Sequence, residues 1–134
     1  MQHRILVADD NLDVAESASA LLSLDGYSVI AVHDGRQAIE IARTFHPHLA
    51  ILDISMPVVD GYEAARALRR EHMAGHRLIL VAHTAMVQRV DVEQARLAGF
   101  NYHLAKPVVG YIFCDLIGSY LLEGDDKRDL QRRH

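Results

Sequence analysis

The sequence has no tryptophan, one cysteine and three prolines, and aromatic residues make up only 6% of it. The single Cys114 excludes an internal disulfide and fits a reducing compartment. Few aromatics and a net charge of −4 argue against a basic, base-stacking surface for DNA or RNA. No apolar run approaches the ~18–20 residues that a membrane-spanning helix needs. Met1-Gln2-His3-Arg4 leads straight into an apolar run without a signal-peptide pattern, so a cytoplasmic location is expected. There is no internal repeat and no linker composition.

What remains is a chain of 134 residues, half of them hydrophobic, which is one domain by size. Such a chain buries roughly two thirds of its unfolded surface and needs no covalent staple. Five short runs rich in Val, Ile and Leu, at 4–8, 28–32, 49–53, 78–83 and 102–105, do not alternate. They read as strands buried on both faces. Helix-period segments lie between and after them. Residues 12–24 place Ala15, Ala18, Leu21 and Leu22 on one stripe, and Asp34 can cap 35–45. Asp60 can cap 61–72, residues 87–98 carry Val90, Ala95, Leu97 and Ala98 and stop at Gly99, and 109–122 forms a last apolar helix. Residues 123–134 read as a charged, disordered tail. Alternating strand and helix predicts a parallel sheet covered on both faces. Ligands of such sheets sit at the carboxyl ends of the strands.

The chemistry of this chain gathers at those ends. Asp53 closes the run Leu49-Ala50-Ile51-Leu52, and a carboxylate there is costly unless something compensates it. The first run passes into Asp9-Asp10, the fourth through His83 into Thr84, and the fifth into Lys106-Pro107. Three carboxylates crowded at one edge repel each other, since two unit charges at ~4 Å cost about 4 kcal/mol at an effective dielectric near 20. A divalent cation with oxygen ligands removes the conflict, and Mg²⁺ suits a site with few carboxylates and open water positions. A carboxylate can also act as a nucleophile toward phosphorus.

These positions in this order, with Pro57, Gly61 and Pro107, resemble the receiver domain of bacterial response regulators over about residues 4–122. The resemblance implies a flavodoxin-like, doubly wound α/β fold with a five-stranded parallel sheet of order 2-1-3-4-5 and five helices. It implies that Asp53 accepts a phosphoryl group from a sensor histidine kinase or phosphotransfer protein. Asp10, Asp53 and the Ser55 backbone carbonyl would hold Mg²⁺, with Asp9 acting through water. Lys106 and Thr84 would contact the phosphoryl oxygens. Thr84 and His103, three residues before the lysine, would form the switch. Met86, two residues after Thr84, would govern water access.

Three features depart from the family pattern or compete with it. Val108-Val109-Gly110-Tyr111 supplies no evident N-cap for the last helix. In that helix Ile112, Leu116 and Tyr120 can face the sheet, while Tyr111, Cys114, Leu121 and Leu122 fall near or beyond the edge of the stripe. Either Gly110 and Gly118 let the helix bend and bury them, or a second copy or partner domain covers them. His72 and His76 have helical zinc spacing, but Gly75 lies between them and no acid or cysteine completes a set. His46, Pro47 and His48 read as a polar loop.

The leading expectation is a phospho-accepting signalling switch, not a turnover enzyme. It would control a partner or homodimer through residues 87–122, without touching nucleic acid or membrane. It reads as stand-alone or as a receiver cut from a hybrid kinase, and Met1 directly before the first strand favours a stand-alone protein or the N-terminal part of a regulator. The alternative is a constitutive interaction module that ignores phosphate. A flavodoxin would need a hydroxyl- and glycine-rich phosphate loop where Asp9-Asp10-Asn11 stands.

Overall fold

The computed structural model describes residues 2–72, 75–108 and 110–132, with side chains as far as Glu123. The elements alternate strictly: β1 (Arg4–Ala8), α1 (Leu12–Leu24), β2 (Ser28–Val32), α2 (Gly35–Phe45), β3 (Leu49–Leu52), α3 (Gly61–Glu71), β4 (Ile79–Thr84), α4 (Arg89–Ala98), β5 (Tyr102–Ala105) and α5 (Gly110–Arg132). All strand pairs are parallel, and the order is β2-β1-β3-β4-β5, as the resemblance implied.

The period-two geometry of strands divides the core. Leu6, Ala8, Ala50, Leu52, Leu80 and Ala82 point to the face covered by α2, α3 and α4. Ile5, Val7, Leu49, Ile51, Ile79 and Val81 point to the face covered by α1 and α5. Both sets are buried, which explains why β1, β3 and β4 read as continuous apolar runs. Edge strand β2 is only half-buried throughout.

Local chemistry starts the helices. Asn11 accepts from the Val14 N–H at 3.2 Å, Asp34 from Gln37 at 2.7 Å and Asp60 from Glu63 at 2.9 Å. The Gln88 N–H donates to Asp91 Oδ2, closing a capping box at α4. Gly99 ends α4 in the left-handed region. Gly61 is required by space, because a Cβ there would lie 2.4 Å from the Asp53 carbonyl oxygen. That contact presses the start of α3 against the end of β3 and fixes the loop between them.

Several expectations are corrected. The buried stripe of α5 is Phe113, Ile117, Tyr120 and Leu121; Ile112 is turned outward instead. On α4, Ala95 and Ala98 are buried while Val90 and Leu97 are exposed. Residues 46–48 form the loop between α2 and β3 as expected, but His48 in it is buried, and its Nδ1 accepts the Arg4 N–H at 2.9 Å. The backbone of α5 is helical to Arg132, beyond the expected boundary at residue 122; no proline interrupts 123–132. Val109, the expected first residue of that helix, and residues 133–134 lie outside the described residues.

Val58 has φ 69°, and its side chain is exposed. A β-branched residue in this region carries strain of about 1–2 kcal/mol. Val58→Asn should therefore raise stability by about 1 kcal/mol in urea unfolding, since asparagine tolerates this conformation. An unchanged or lower midpoint would contradict this.

Candidate functional site

Parallel pairing places the carboxyl ends of β1, β3, β4 and β5 side by side. The Asp53 N–H donates to the Ala8 carbonyl at 2.9 Å, and the Lys106 N–H donates to the Thr84 carbonyl at 3.0 Å. The ladder thus continues one residue past the strands and aligns the side chains that follow them. Asp9 and Asp53 are buried, Asp10 is exposed, and one carboxylate oxygen from each lies within 4.8 Å of the others.

Lys106 binds two of these acids. Its Nζ lies 2.6 Å from Asp9 Oδ2 and 2.9 Å from Asp53 Oδ2. The other oxygens are also used: Asp9 Oδ1 accepts the Asn11 N–H at 3.0 Å, and Asp53 Oδ1 accepts the Ser55 N–H at 3.2 Å. Burial raises the Asp9 pKa, against the lowering pull of Lys106 and the Asn11 N–H, and the Asp53 charge adds to the rise. Burial works against the Lys106 ammonium, but hydrogen bonds to Asp9 and Asp53 outweigh it and leave its pKa raised. One ammonium faces three carboxylates, so the cluster is one cation short of comfort. An all-oxygen donor set of this kind fits a hard divalent ion such as Mg²⁺.

Thr84 is buried at the end of β4. Its Oγ1 accepts the Met86 N–H at 3.2 Å, and His103 Nε2 lies 2.8 Å from the Met86 carbonyl oxygen. That contact makes Nε2 the protonated nitrogen, because a carbonyl can only accept. One peptide segment at Met86 therefore ties Thr84 to His103. Ser55 Oγ also donates to Met86 Sδ at 3.2 Å, bridging the loops after β3 and β4 across the mouth of the site.

The expected residues Asp9, Asp10, Asp53, Ser55, Thr84, His103 and Lys106 are thus gathered at one edge. His72 and His76 are not on one helix: α3 ends at Glu71, and His72 Nε2 contacts the His76 carbonyl oxygen at 2.6 Å. Among the described residues, the one group arranged to hold a metal is the acid cluster. Sequence reasoning missed Asn11 as the cap of α1, which Asp9 and Asp10 do not supply, and it missed the Ser55–Met86 bridge. The Asn11 signal was present, as an asparagine one residue before the periodic segment. It also missed Arg69, whose half-buried guanidinium donates to the carbonyls of Leu78 and Gly99 and to Asn101 Oδ1, pinning α3 to the amino end of the sheet.

The comparisons with known proteins agree with this geometry. The response regulator receiver domain matches residues 5–111. The polar-differentiation response regulator DivK of Brucella ovis is 30% identical over 121 residues, covering 90% of this chain and 98% of that protein. The response regulator MprA of Mycolicibacterium vanbaalenii is 40% identical over 107 residues, 80% of this chain and 45% of its own. The CheY-like receiver domain protein from Methanospirillum hungatei JF-1 shares the fold with a TM-score of 0.84 at 22% identity, covering 95% of this chain and 99% of its own. A receiver domain of a sensor histidine kinase from Pseudomonas aeruginosa PAO1 is 32% identical with a TM-score of 0.79, over 90% of this chain and 98% of that one. That structure has a magnesium ion coordinated in its active site cleft. Among the described residues, no helix is long and apolar enough to cross a membrane. The strand-end acids, the sheet order and the matched length lead to one assignment: the chain belongs to the response regulator receiver domains.

Proposed function

We propose that this chain is a phospho-accepting signalling switch of a two-component system, with Asp53 as the acceptor. An Asp53 carboxylate oxygen attacks the phosphorus of a phosphohistidine on a sensor kinase or phosphotransfer protein. The new O–P bond forms as the P–N bond breaks, and the leaving imidazole takes up a proton. Lys106 supports this most directly, because its ammonium already lies within hydrogen-bond distance of Asp53 and Asp9. The same ammonium can follow the charge onto a phosphoryl oxygen. Bound magnesium, held by Asp10, Asp53 and the Ser55 carbonyl with Asp9 acting through water, would neutralise the remaining oxygens. The switching unit is residues 1–122, acting in the cytoplasm.

Phosphorylation replaces a charge of −1 on Asp53 by about −2 and adds acceptor oxygens. The Thr84 hydroxyl turns toward them and releases the Met86 N–H. The Met86 carbonyl then no longer holds His103 in one place, and the change reaches β5. Tyr102 stacks on Tyr120 with ring centroids 3.7 Å apart, and its hydroxyl bonds the Glu123 carboxylate, so α5 follows β5. The exposed Val87, Val90, Leu97, Tyr111, Ile112 and Leu122 offer apolar contact area for a second copy or a partner on that side. Tyr111→Glu should disrupt association through residues 87–122 in light-scattering experiments while Asp53 still takes up phosphate. Unchanged association with and without phosphorylation would remove this surface from the mechanism.

A Mg²⁺ titration followed by amide chemical shifts tests the site itself. A dissociation constant of order millimolar is expected from so few protein ligands. Asp10→Ala should weaken binding more than Asp9→Ala. Equal binding by the wild type and the double variant would place the ion elsewhere and leave a constitutive interaction module as the reading.

A further inference from the structure

The contact that spans the mouth of the acid cluster contains a sulfur atom. Ser55 Oγ, on the loop after β3, donates to Met86 Sδ, on the loop after β4, at 3.2 Å. Ser55 is exposed and Met86 half-buried, so solvent reaches the contact. The inner part of Met86 packs against the core beneath α2, α3 and α4. Its peptide is held by both switch residues: Thr84 Oγ1 accepts its N–H at 3.2 Å, and its carbonyl accepts from His103 Nε2 at 2.8 Å. A change in this one side chain therefore acts on Ser55, Thr84 and His103 together.

A thioether is a weak acceptor, so the O–H···S contact holds the two loops loosely. It is also oxidisable. Met56, the other methionine among the described residues, is only 6% exposed and is shielded by the core. Burial pushes the Cys114 thiol up, with Asp25 and Asp115 adding, so little of the reactive thiolate is present. Among the described residues, Met86 is thus the sulfur most open to a peroxide, and its product would find a hydroxyl donor already beside it.

We propose that Met86 is a site of oxidative modification: a hydroperoxide converts it to the sulfoxide, whose oxygen accepts from the Ser55 hydroxyl and fastens the two loops across the mouth. A sulfur lone pair attacks the outer peroxide oxygen. The S–O bond forms as the O–O bond breaks, and hydrogen peroxide departs as water. The sulfur loses two electrons and the peroxide gains them. A sulfoxide oxygen is a stronger acceptor than a thioether sulfur, and the flexible methionine side chain can turn to present it. The fastened loops narrow the approach to Asp53 and hold the Met86 peptide against the movement that frees Thr84. The effect on phosphoryl uptake rests on the phospho-accepting reading above; the modification and the loop contact do not.

The test treats the full chain with dilute hydrogen peroxide, locates the added oxygen by peptide mass mapping and follows the loops by amide hydrogen exchange. Met86 should gain one oxygen before Met56 does. Exchange in the loops after β3 and β4 should slow about 5-fold, the ratio for about 1 kcal/mol of added hydrogen bonding. Uptake of phosphoryl from acetyl phosphate and Mg²⁺ should slow by a similar factor, and methionine sulfoxide reductase should restore both. Each variant is compared with its own untreated form: Met86→Leu should show neither change, and Ser55→Ala should be oxidised yet keep its exchange rates. Oxidation that spares Met86, loops that exchange as fast in the sulfoxide form, or slowing that persists in Ser55→Ala would each overturn the inference. Slowed exchange with undiminished uptake would overturn the closing of the mouth. A chain that takes up no phosphoryl group before treatment would contradict the signalling role instead, and the exchange rates would still decide the loop contact.

Discussion

Asp53→Asn should abolish covalent phosphoryl uptake while leaving the fold intact. The amide is nearly isosteric with the carboxylate, and its oxygen can still accept from Lys106 Nζ, which lies 2.9 Å from Asp53 Oδ2 in the wild type. What disappears is the nucleophile, since a neutral amide oxygen does not form a stable acyl phosphate. Intact mass after incubation with acetyl phosphate and Mg²⁺ should show one added phosphoryl group on the wild type and none on the variant. An undiminished adduct on the variant would move the acceptor to another residue. Lys106→Ala provides the contrast: it removes the cation and leaves the nucleophile, so it should impair the structural response more than the ability to be modified.

Mild acid should destabilise the protein through His83, and the loss should vanish in His83→Val. Burial, with the Lys106 ammonium adding and Asp53 partly opposing, lowers the His83 pKa from 6.5 to about 4. Between those values the unfolded chain takes up a proton that the folded chain refuses. Stability from the neutral ring is therefore complete above about pH 6.5 and is lost as pH falls toward 4. The loss approaches roughly 3 kcal/mol, and below pH 4 this residue adds nothing further. Urea unfolding at several pH values measures it directly. His83→Val should flatten the slope between pH 6.5 and 4, and should also stabilise the protein at pH 7 by about 1 kcal/mol by removing an unpaired nitrogen. Parallel pH profiles for the two proteins would show that the ring finds a partner on protonation.

The strands were legible because β1, β3 and β4 are buried on both faces, so almost every residue in them is apolar and no other element shares that signature. Asp53 and Lys106 were legible for a related reason: a charge at the end of such a run needs partners, and the only partners available are at the ends of the neighbouring runs. Helix faces were harder. Of the apolar residues read on α4, Ala95 and Ala98 are buried while Val90 and Leu97 are exposed, a choice that the sequence pattern alone did not make. In the first half of α5, residues 110–122, most positions are apolar, so composition could not choose between Ile112 and Phe113. The choice was made by Phe113 meeting His83 and by Tyr120 stacking on Tyr102, contacts between residues far apart in sequence. His48 illustrates the same limit. Beside His46 and a proline it reads as loop, yet the Arg4 N–H needs an acceptor there, and the ring is drawn inward to supply it.

The most direct test of the switch is the residue-resolved amide spectrum of the wild type before and after acetyl phosphate and Mg²⁺ are added together. The account predicts changes that start at Asp53 and Lys106, pass through Thr84, Met86 and His103, and extend along β5 into α5. Removing the phosphodonor should reverse them as the acyl phosphate hydrolyses. Changes confined to Asp9, Asp10 and Asp53, the same as those from Mg²⁺ alone, would contradict it, because the acids would then bind an ion without driving a switch.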